Sequence, residues 1–564
     1  MFNVLALAAA VTLFLSWLMP NHALPWTSWH SEAVAFLAAL SLSWAGLAAL
    51  RAADRRYMVL PRIVLPFVAL LLVAVLQWMG GLVLFKGDLW AFGLYVGLCV
   101  ACLTLGFGAT SGSAAPRSPD AATAPLASLA AIVLASAAVS IVVALAQVFS
   151  LWENSEWIWR VPQLRRPGSN LGQPNHLATL IVMAIASVVF LYQAQRLSAT
   201  ATALLLFFLC TGLAITESRT GALSLLVLLG WWLLKRRRIG DPTPAWVGMG
   251  YGAGFIALFW AWPQLLRVML LTNEAELNTT SSLRLQVWPQ LLDAVAMKPW
   301  FGWGLRATAR AHNAVADRYP VSSPFSYSHN LLLDLFLWIG VPLTALLVLA
   351  AAVWLWRRIR MVDRPLPWYG LATAIPLLVH SMFEYPFAYA YFLAPAMFAL
   401  GAVEGSLGVK PLVPLPVRPV AVFLAMLSVV LAWSVVEYLR VEEDFRVARF
   451  QAVRIGTPPP EHQRPRVHLF DQLDLLLEDA RITPTPRMSP ADLRTVKEAA
   501  LYYPWSATQY RYALALALNG ERQEAERQIQ VMRRHWGEKA YAEIKQQIRF
   551  AAERYPELHD LRLP

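Results

Sequence analysis

Apolar residues in this chain gather in long unbroken runs, not in the one-sided stripes of surface helices. The runs cover approximately residues 2–20, 32–50, 59–79, 89–110, 126–149, 175–194, 198–216, 220–234, 245–263, 330–356, 366–383, 387–404 and 419–437. About 20 apolar residues at 1.5 Å rise each cross a bilayer core. The pattern therefore predicts an all-α polytopic membrane bundle with about thirteen transmembrane helices. The first run, Met1 to Pro20, has no basic leader and no small-residue cleavage site, so it is expected to stay as a helix.

Beyond residue 437 the pattern changes. Apolar density falls, and proline-rich breaks occur at 458–460 and 484–490. The stretch Tyr510 to Leu518 reads as a helix stopped by Asn519-Gly520. Glu521 to Trp536 reads as a second, amphipathic helix, and the pair predicts a tetratricopeptide-like helical hairpin. Two regions result: a transmembrane bundle over 1–437, with a long loop at about 264–329, and a small helical tail over 438–564.

Composition agrees. The 564 residues are 58% hydrophobic and only 15% charged, and 24 tryptophans suit interfacial belts. The formal charge of +12 does not indicate nucleic acid, because the basic residues are scattered among membrane connections. Cys99, Cys102 and Cys210 all lie inside apolar runs and read as small packed residues, with no disulfide framework.

Charge also orients the chain. Basic clusters fall on alternate connections: Arg51/Arg55/Arg56, Arg117, Arg196, Lys235 to Arg238, Arg357/Arg358/Arg360/Arg364, then Lys410 and Arg418. The positive-inside rule puts these, and the N-terminus, in the cytoplasm. The connections at 150–174, 217–219, 264–329 and 384–386 are then extracytoplasmic, as is the tail. Yet they hold Arg165, Arg166, Arg219, Arg284 and Arg306. Arginines against the charge rule point to an anionic ligand, with snorkelling side chains as the alternative.

Four polar stretches on those connections carry candidate chemistry. In Gly168 to His176, Pro174 suits the first turn of a helix, whose free N–H groups favour phosphate. Gln173 and Asn175 add amide groups for sugar or phosphate oxygens, and His176 follows them. In Glu217-Ser218-Arg219-Thr220-Gly221, almost no loop separates two apolar runs, so Arg219 sits at the outer edge. Its partner is either Glu217 or a diphosphate. In Ser281 to Trp288, a serine cap places Arg284 in the first turn of a short helix, with a planar fork suited to two phosphate oxygens. Lys298 to Gly304 follows as a tight turn. In Tyr327-Ser328-His329-Asn330, a histidine precedes an apolar run. A helix start favours the neutral ring, which can accept a proton as a general base must. Asp334 is expected to face Asn330, one turn earlier, and not the histidine. Tyr385 lies in a further short turn, where it either bonds a phosphate or sugar or joins the aromatic belt. His380 reads as structural, and His22, His30 and His312 show no convincing partners. No nucleotide-binding motif or metal-ligand cluster is visible. Glu153 and Glu156 are three apart but flanked by tryptophans, so a metal-independent site without cofactor is expected.

Together, Ser218-Arg219-Thr220-Gly221, the Arg284 helix, the Pro299 to Gly304 turn and Ser328-His329-Asn330 resemble the O-antigen ligase and polymerase superfamily, over about residues 126–405. Gln173-Pro174-Asn175-His176, Tyr385 and the helical tail are similar to its bacterial protein O-oligosaccharyltransferases. The resemblance implies a GT-C-like glycosyltransferase in the bacterial inner membrane, with a periplasmic site. It implies a donor glycan on undecaprenyl diphosphate and an acceptor protein such as a pilin. His329 would be the catalytic base, and Arg219 and Arg284 the diphosphate clamp. Gln173, Asn175 and Tyr385 would support the site, with His176, Asn330, Arg165 and Arg166 as further candidates. A ligase acting on lipid A–core and a glycan polymerase share that donor chemistry. A transporter or flippase for an anionic lipid is the non-enzymatic alternative.

Overall fold

A computed structural model describes residues 2–111, 119–152, 154–160, 166–269, 271, 282–452 and 462–563. The first helices are α1 (Phe2–Ser16), α2 (Trp29–Ala52), α3 (Leu65–Met79), α4 (Lys86–Thr110) and α5 (Pro119–Val148). Next come α6 (Pro174–Gln193), α7 (Ala199–Ile215), α8 (Arg219–Lys235), α9 (Ala245–Val268) and α10 (Ser282–Met297). Then follow α11 (Thr308–Asn313), α12 (Leu331–Ile339), α13 (Val341–Met361), α14 (Pro365–His380) and α15 (Ala390–Ser406). Last are α16 (Val417–Ala452), α17 (Asp471–Asp479), α18 (Pro490–Tyr502), α19 (Ser506–Leu518) and α20 (Arg522–Ala552). One antiparallel ribbon pairs β1 (Tyr57–Leu60) with β2 (Val413–Pro416), Tyr57 opposite Pro416.

The chain is an all-α multi-pass membrane protein. Among the described residues, eight helices are long and apolar enough to cross a membrane: α2, α3 with the turn before it, α4, α5, α6, α9, α13 and α16. Five other predicted runs fold as α1, α7, α8, α14 and α15, each 15 to 17 residues long. Local signals trim several of them. Ser198 and Ser218 cap α7 and α8 through their side chains, and Pro365 opens α14. The run 330–356 is not one helix. Gly340, at φ 81° and ψ 168°, ends α12 and starts α13 in a new direction. Conversely, α16 continues past residue 437 through a charged segment of good helix formers, where Arg446 bonds Glu443.

The helices form two compact units. The first gathers Met1–Ala69, Leu94–Asn278 and Ala351–Ala432; the second gathers Leu70–Gly93, Thr279–Ala350 and Trp433–Pro564.

In the first unit, α6 is almost wholly enclosed, against α5, α7, α8 and α14. Two of its polar groups are answered inside: Ser187 by the Tyr369 hydroxyl at 2.9 Å, and Thr179 by His380 Nδ1 at 2.7 Å. His380 thus has the structural role expected of it, and the three cysteines are buried free thiols. The C-terminal end of α6 meets the basic connections. Gln193 bonds Asp241, the Lys235 ammonium reaches the Ile359 carbonyl, and Arg358 pairs with Glu404. The ribbon joins two more basic connections edge to edge, since Arg56 precedes β1 and Arg418 follows β2. Two of the candidate polar stretches, those of Gln173 and of Arg219, lie at the opposite, N-terminal end of α6.

In the second unit, α19 stops at Asn519-Gly520, where Gly520 has φ 87°, and α20 is interrupted at Gly537. These are the two helices expected at 510–536. The tail helices hold the loop region firmly. Asn313 bonds Gln528 at 3.1 Å, Arg527 bonds the Asn313 carbonyl at 3.1 Å, and the Ser322 N–H bonds the Arg534 carbonyl at 3.1 Å. Glu437 of α16 accepts the N–H groups of His468, Leu469 and Phe470 at the start of α17. Asp471 in turn accepts those of Lys86 and Gly87, at 3.2 and 2.7 Å, at the start of α4.

Candidate active site

The candidate residues fall into two sets, one in each unit. In the first unit, three stretches remote in sequence converge. Gln173 is the N-cap of α6 and its side-chain oxygen accepts the His176 N–H at 2.9 Å, with Pro174 in the first helical position. Asn175 then reaches across to Ser218, whose hydroxyl donates to Asn175 Oδ1 at 2.7 Å. The same Ser218 oxygen caps α8 by accepting the Gly221 N–H at 3.0 Å. Arg219 is thereby fixed as the first, exposed residue of α8. Gly221 allows this closeness, because a Cβ there would stand 2.6 Å from that of Ala178 on α6. Asn175 Nδ2 also lies 3.4 Å from Glu384, so the turn bearing Tyr385 joins the cluster. The Tyr385 ring stacks on Tyr389 at 5.9 Å.

Arg166 donates to the Thr216 carbonyl at 3.1 Å, two residues before Ser218. It ties the 150–174 connection to the Arg219 turn. Arg165 lies outside the described residues. His176 corrects another expectation. It is buried, with its ring centred 4.6 Å from Tyr389 and 5.7 Å from both His380 and Phe392. An enclosed aromatic cluster of this kind makes it a packing residue. His22, expected to lack a partner, faces the Asn170 carbonyl at 2.8 Å.

In the second unit, Arg284 stands half-buried in the first turn of α10, as its serine cap predicts, while Ser281 lies outside the described residues. One turn later Trp288 donates its indole N–H to the Ser328 carbonyl at 2.8 Å. Residues four apart share a helix face, so the Arg284 face of α10 is the face fastened to the histidine turn. His329 has φ 60°, a left-handed conformation that costs a non-glycine residue about 1–3 kcal/mol. Its neighbours hold it there. The Ser328 N–H donates to Asp334 Oδ1 at 2.9 Å, and the Ser328 hydroxyl donates to the Asn330 carbonyl at 2.8 Å. The His329 ring is half-exposed beside Phe325, with centroids 4.8 Å apart. Asn330 is the N-cap of α12, accepting the N–H groups of Leu332 and Leu333 at 3.0 and 3.1 Å.

The expected pairing of Asp334 with Asn330 is not what forms. Asp334 is fully buried and accepts from Ser328 and from the Thr308 hydroxyl at 3.0 Å. The left-handed bend at His329 folds Ser328 back over α12, which intrahelical spacing alone does not reveal. The far end of α12 is clamped too. The Trp303 N–H bonds the Leu337 carbonyl at 2.6 Å, and the Val341 N–H bonds the Pro299 carbonyl at 2.7 Å. Gln77 donates to the Trp338 carbonyl at 2.7 Å and accepts the Leu305 N–H at 3.0 Å. The tight turn at 298–304 is thus a backbone seat for α12.

Arg306 and Arg310 find partners within the protein, neither of them a snorkelling side chain. Arg306 faces Asp88 at 3.4 Å between the rings of Tyr327 and Tyr502, and Arg310 donates to the Leu82 carbonyl at 3.1 Å. Burial works against the Arg306 charge, yet Tyr502, Tyr327 and Asp88 hold its pKa well above the ordinary guanidinium value. His312 also has partners after all. Its Nε2 lies 2.9 Å from Gln290 and 3.0 Å from Ser322, and its ring 5.2 Å from that of His535. Burial pushes the His312 pKa down to about 4 and that of His535 well below its ordinary value. Both rings are therefore neutral near pH 7. Among the described residues no three His, Cys, Asp or Glu side chains gather to hold a metal ion. Sequence reasoning overlooked Trp288, Thr308 and Glu384 as parts of these sets, and gave Asp334 the wrong partner. Only Glu384, beside Tyr385 in a polar turn, carried a local signal.

Comparison with known proteins covers both sets. A family model described as "Protein glycosylation ligase" matches residues 167–192, around Gln173 and Asn175. One described as "O-Antigen ligase" matches 203–348, a stretch holding Arg219, Arg284 and His329. One described as "Virulence factor membrane-bound polymerase, C-terminal" matches 368–549. The chain is 24% identical to the general O-oligosaccharyltransferase of Acinetobacter baylyi over 552 residues, covering 94% of this chain and 92% of that protein. It is 28% identical to the ComP-specific O-oligosaccharyltransferase of the same organism over 244 residues, 42% of this chain and 44% of the other.

Proposed function

Because the chain belongs to the protein O-oligosaccharyltransferases of the O-antigen ligase and polymerase superfamily, we propose that it transfers a preassembled glycan from undecaprenyl diphosphate to a serine or threonine of an acceptor protein. The acceptor is pilin-like and the reaction is periplasmic, at the inner membrane. Within the first unit, the basic connections at one end of α6 and the Asn175 and Ser218 motifs at the other support that sidedness.

In this reading His329 takes the proton of the acceptor hydroxyl. The hydroxyl oxygen attacks the anomeric carbon as the bond to the diphosphate oxygen breaks. The polyprenyl diphosphate leaves as an anion, and the anomeric configuration inverts. Arg219 and Arg284 stabilise the charge that develops on the leaving group. Gln173, Asn175 and Tyr385 bind sugar or phosphate oxygens around it, and Asn330 serves by capping α12. General-base assistance is worth roughly 10²–10⁴-fold in rate.

The observation that carries the proposal is the turn at His329, a histidine held left-handed by three separate hydrogen bonds beside the Arg284 helix. Strain maintained at such expense is typical of functional positions. The test is glycan transfer in detergent with purified protein, lipid-linked donor, and pilin or lipid A–core as acceptor. His329→Ala should fold and bind donor yet transfer poorly. Wild-type turnover in that variant removes the base assignment. Product on lipid A–core alone would make the enzyme a ligase, and no product without a gradient would fit a transporter.

A further inference from the structure

The left-handed turn at His329 is gripped at Ser328 from two directions. On one side the indole N–H of Trp288 holds the Ser328 carbonyl at 2.8 Å. On the other, Asp334 Oδ1 holds the Ser328 N–H at 2.9 Å. Asp334 is 0% exposed, and its second oxygen, Oδ2, is buried with no hydrogen-bond partner. A carboxylate placed at that cost, with one oxygen committed to one backbone amide and one hydroxyl, is anchored for position. The hydroxyl belongs to Thr308, which is itself fixed by the Trp338 indole at 2.9 Å. The peptide before His329 is therefore clamped between α10 and α12, and α11 backs the clamp.

We propose that Asp334 and Trp288 are positioning residues for the glycosyl transfer: they lock the Ser328 peptide so that the His329 ring projects where an acceptor hydroxyl can reach it. This rests on the reading of His329 as the base. Asp334 does not touch the imidazole, so it acts neither as an orienting carboxylate nor as a proton acceptor for the ring. Its partner is the backbone one residue earlier. Geometry, not charge, is what it supplies.

The distinction can be measured. Asp334→Asn keeps an oxygen to accept from Ser328 and Thr308, whereas Asp334→Ala keeps nothing. Steady-state transfer is followed for both, with Trp288→Phe and His329→Ala alongside. Misplacing a catalytic group by about 1 Å costs about 100-fold, so Asp334→Ala should lose about that much kcat with donor KM unchanged. Asp334→Asn should recover most of it, a rescue that loss of a charged or proton-accepting role does not allow. Trp288→Phe should lower kcat at constant donor KM, and it decides the matter if Asp334→Ala does not purify as a folded protein. Wild-type kcat in Asp334→Ala or Trp288→Phe, or an Asp334→Asn as impaired as the alanine, overturns the positioning role. Active His329→Ala would instead remove the base reading, so the two failures are told apart.

Discussion

Mild acid should loosen the second unit at a defined place, the contact of His312 with His535. Both rings are buried, and burial lowers both pKa values, that of His312 to about 4. The sign follows from proton uptake. The unfolded chain protonates near the ordinary 6.5, while the folded chain resists until about 4. Stability is therefore complete above about pH 6.5 and falls as the pH drops through 4. At 1.36 kcal/mol per pKa unit, His312 alone removes about 2 kcal/mol by pH 5 and about 3 kcal/mol by pH 4. The groups facing it are Gln290, Ser322, Phe325 and His535, so protonation also places a second cation site beside an already crowded ring. Amide hydrogen exchange in detergent, corrected for the intrinsic pH dependence, should show α11 and the first part of α20 losing protection at pH 5 relative to pH 7. His312→Gln retains a donor for Gln290 and removes the titration, so it should flatten the response. Equal protection at both pH values, or an undiminished response in His312→Gln, refutes the argument.

Three further outcomes are expected. Gly340→Ala forces φ 81° on a residue with a Cβ that would sit 2.3 Å from the Trp300 carbonyl oxygen, and thermal unfolding should register the change. Backbone strain and overpacking each contribute about 1–3 kcal/mol there, and an unchanged midpoint would show that α12 is not seated as described. Ser218→Ala removes the α8 cap and the hydrogen bond to Asn175, for about 2–3 kcal/mol together, read from the same unfolding curves. Arg284→Lys exchanges a planar fork for a point charge and should weaken donor binding by about tenfold or more, measured with labelled lipid donor; undiminished affinity argues against a clamp.

The helical framework was legible because bilayer crossing demands apolar length, and each of the thirteen runs does contain a helix. The boundaries that escaped were set by backbone geometry. Gly340 ends α12 through a conformation reserved for glycine, and nothing in hydropathy marks it. The short β1–β2 ribbon joins residues more than 350 apart and was invisible to local pattern. Among site residues, Gln173, Asn330 and Ser218 were legible as polar groups at helix starts, and the structure uses all three as caps. Their partners were not. Asp334 turns to Ser328 and Thr308, and Arg306 finds Asp88, 218 residues away. Periodicity ranks neighbours on one helix, whereas these pairings arise from how separate segments stack.

Asp471 at the head of α4 has a practical consequence for anyone re-engineering this enzyme. The C-terminal helices contribute the acceptor oxygens for the Lys86 and Gly87 amides, and Tyr502 bonds Asp88 on the next residue. A truncation after residue 452 would strip those amides of their acceptors inside a crowded junction, where Gly87 already has no room for a methyl group. Swapping C-terminal segments between homologous transferases would require residues 80–88 to travel with them.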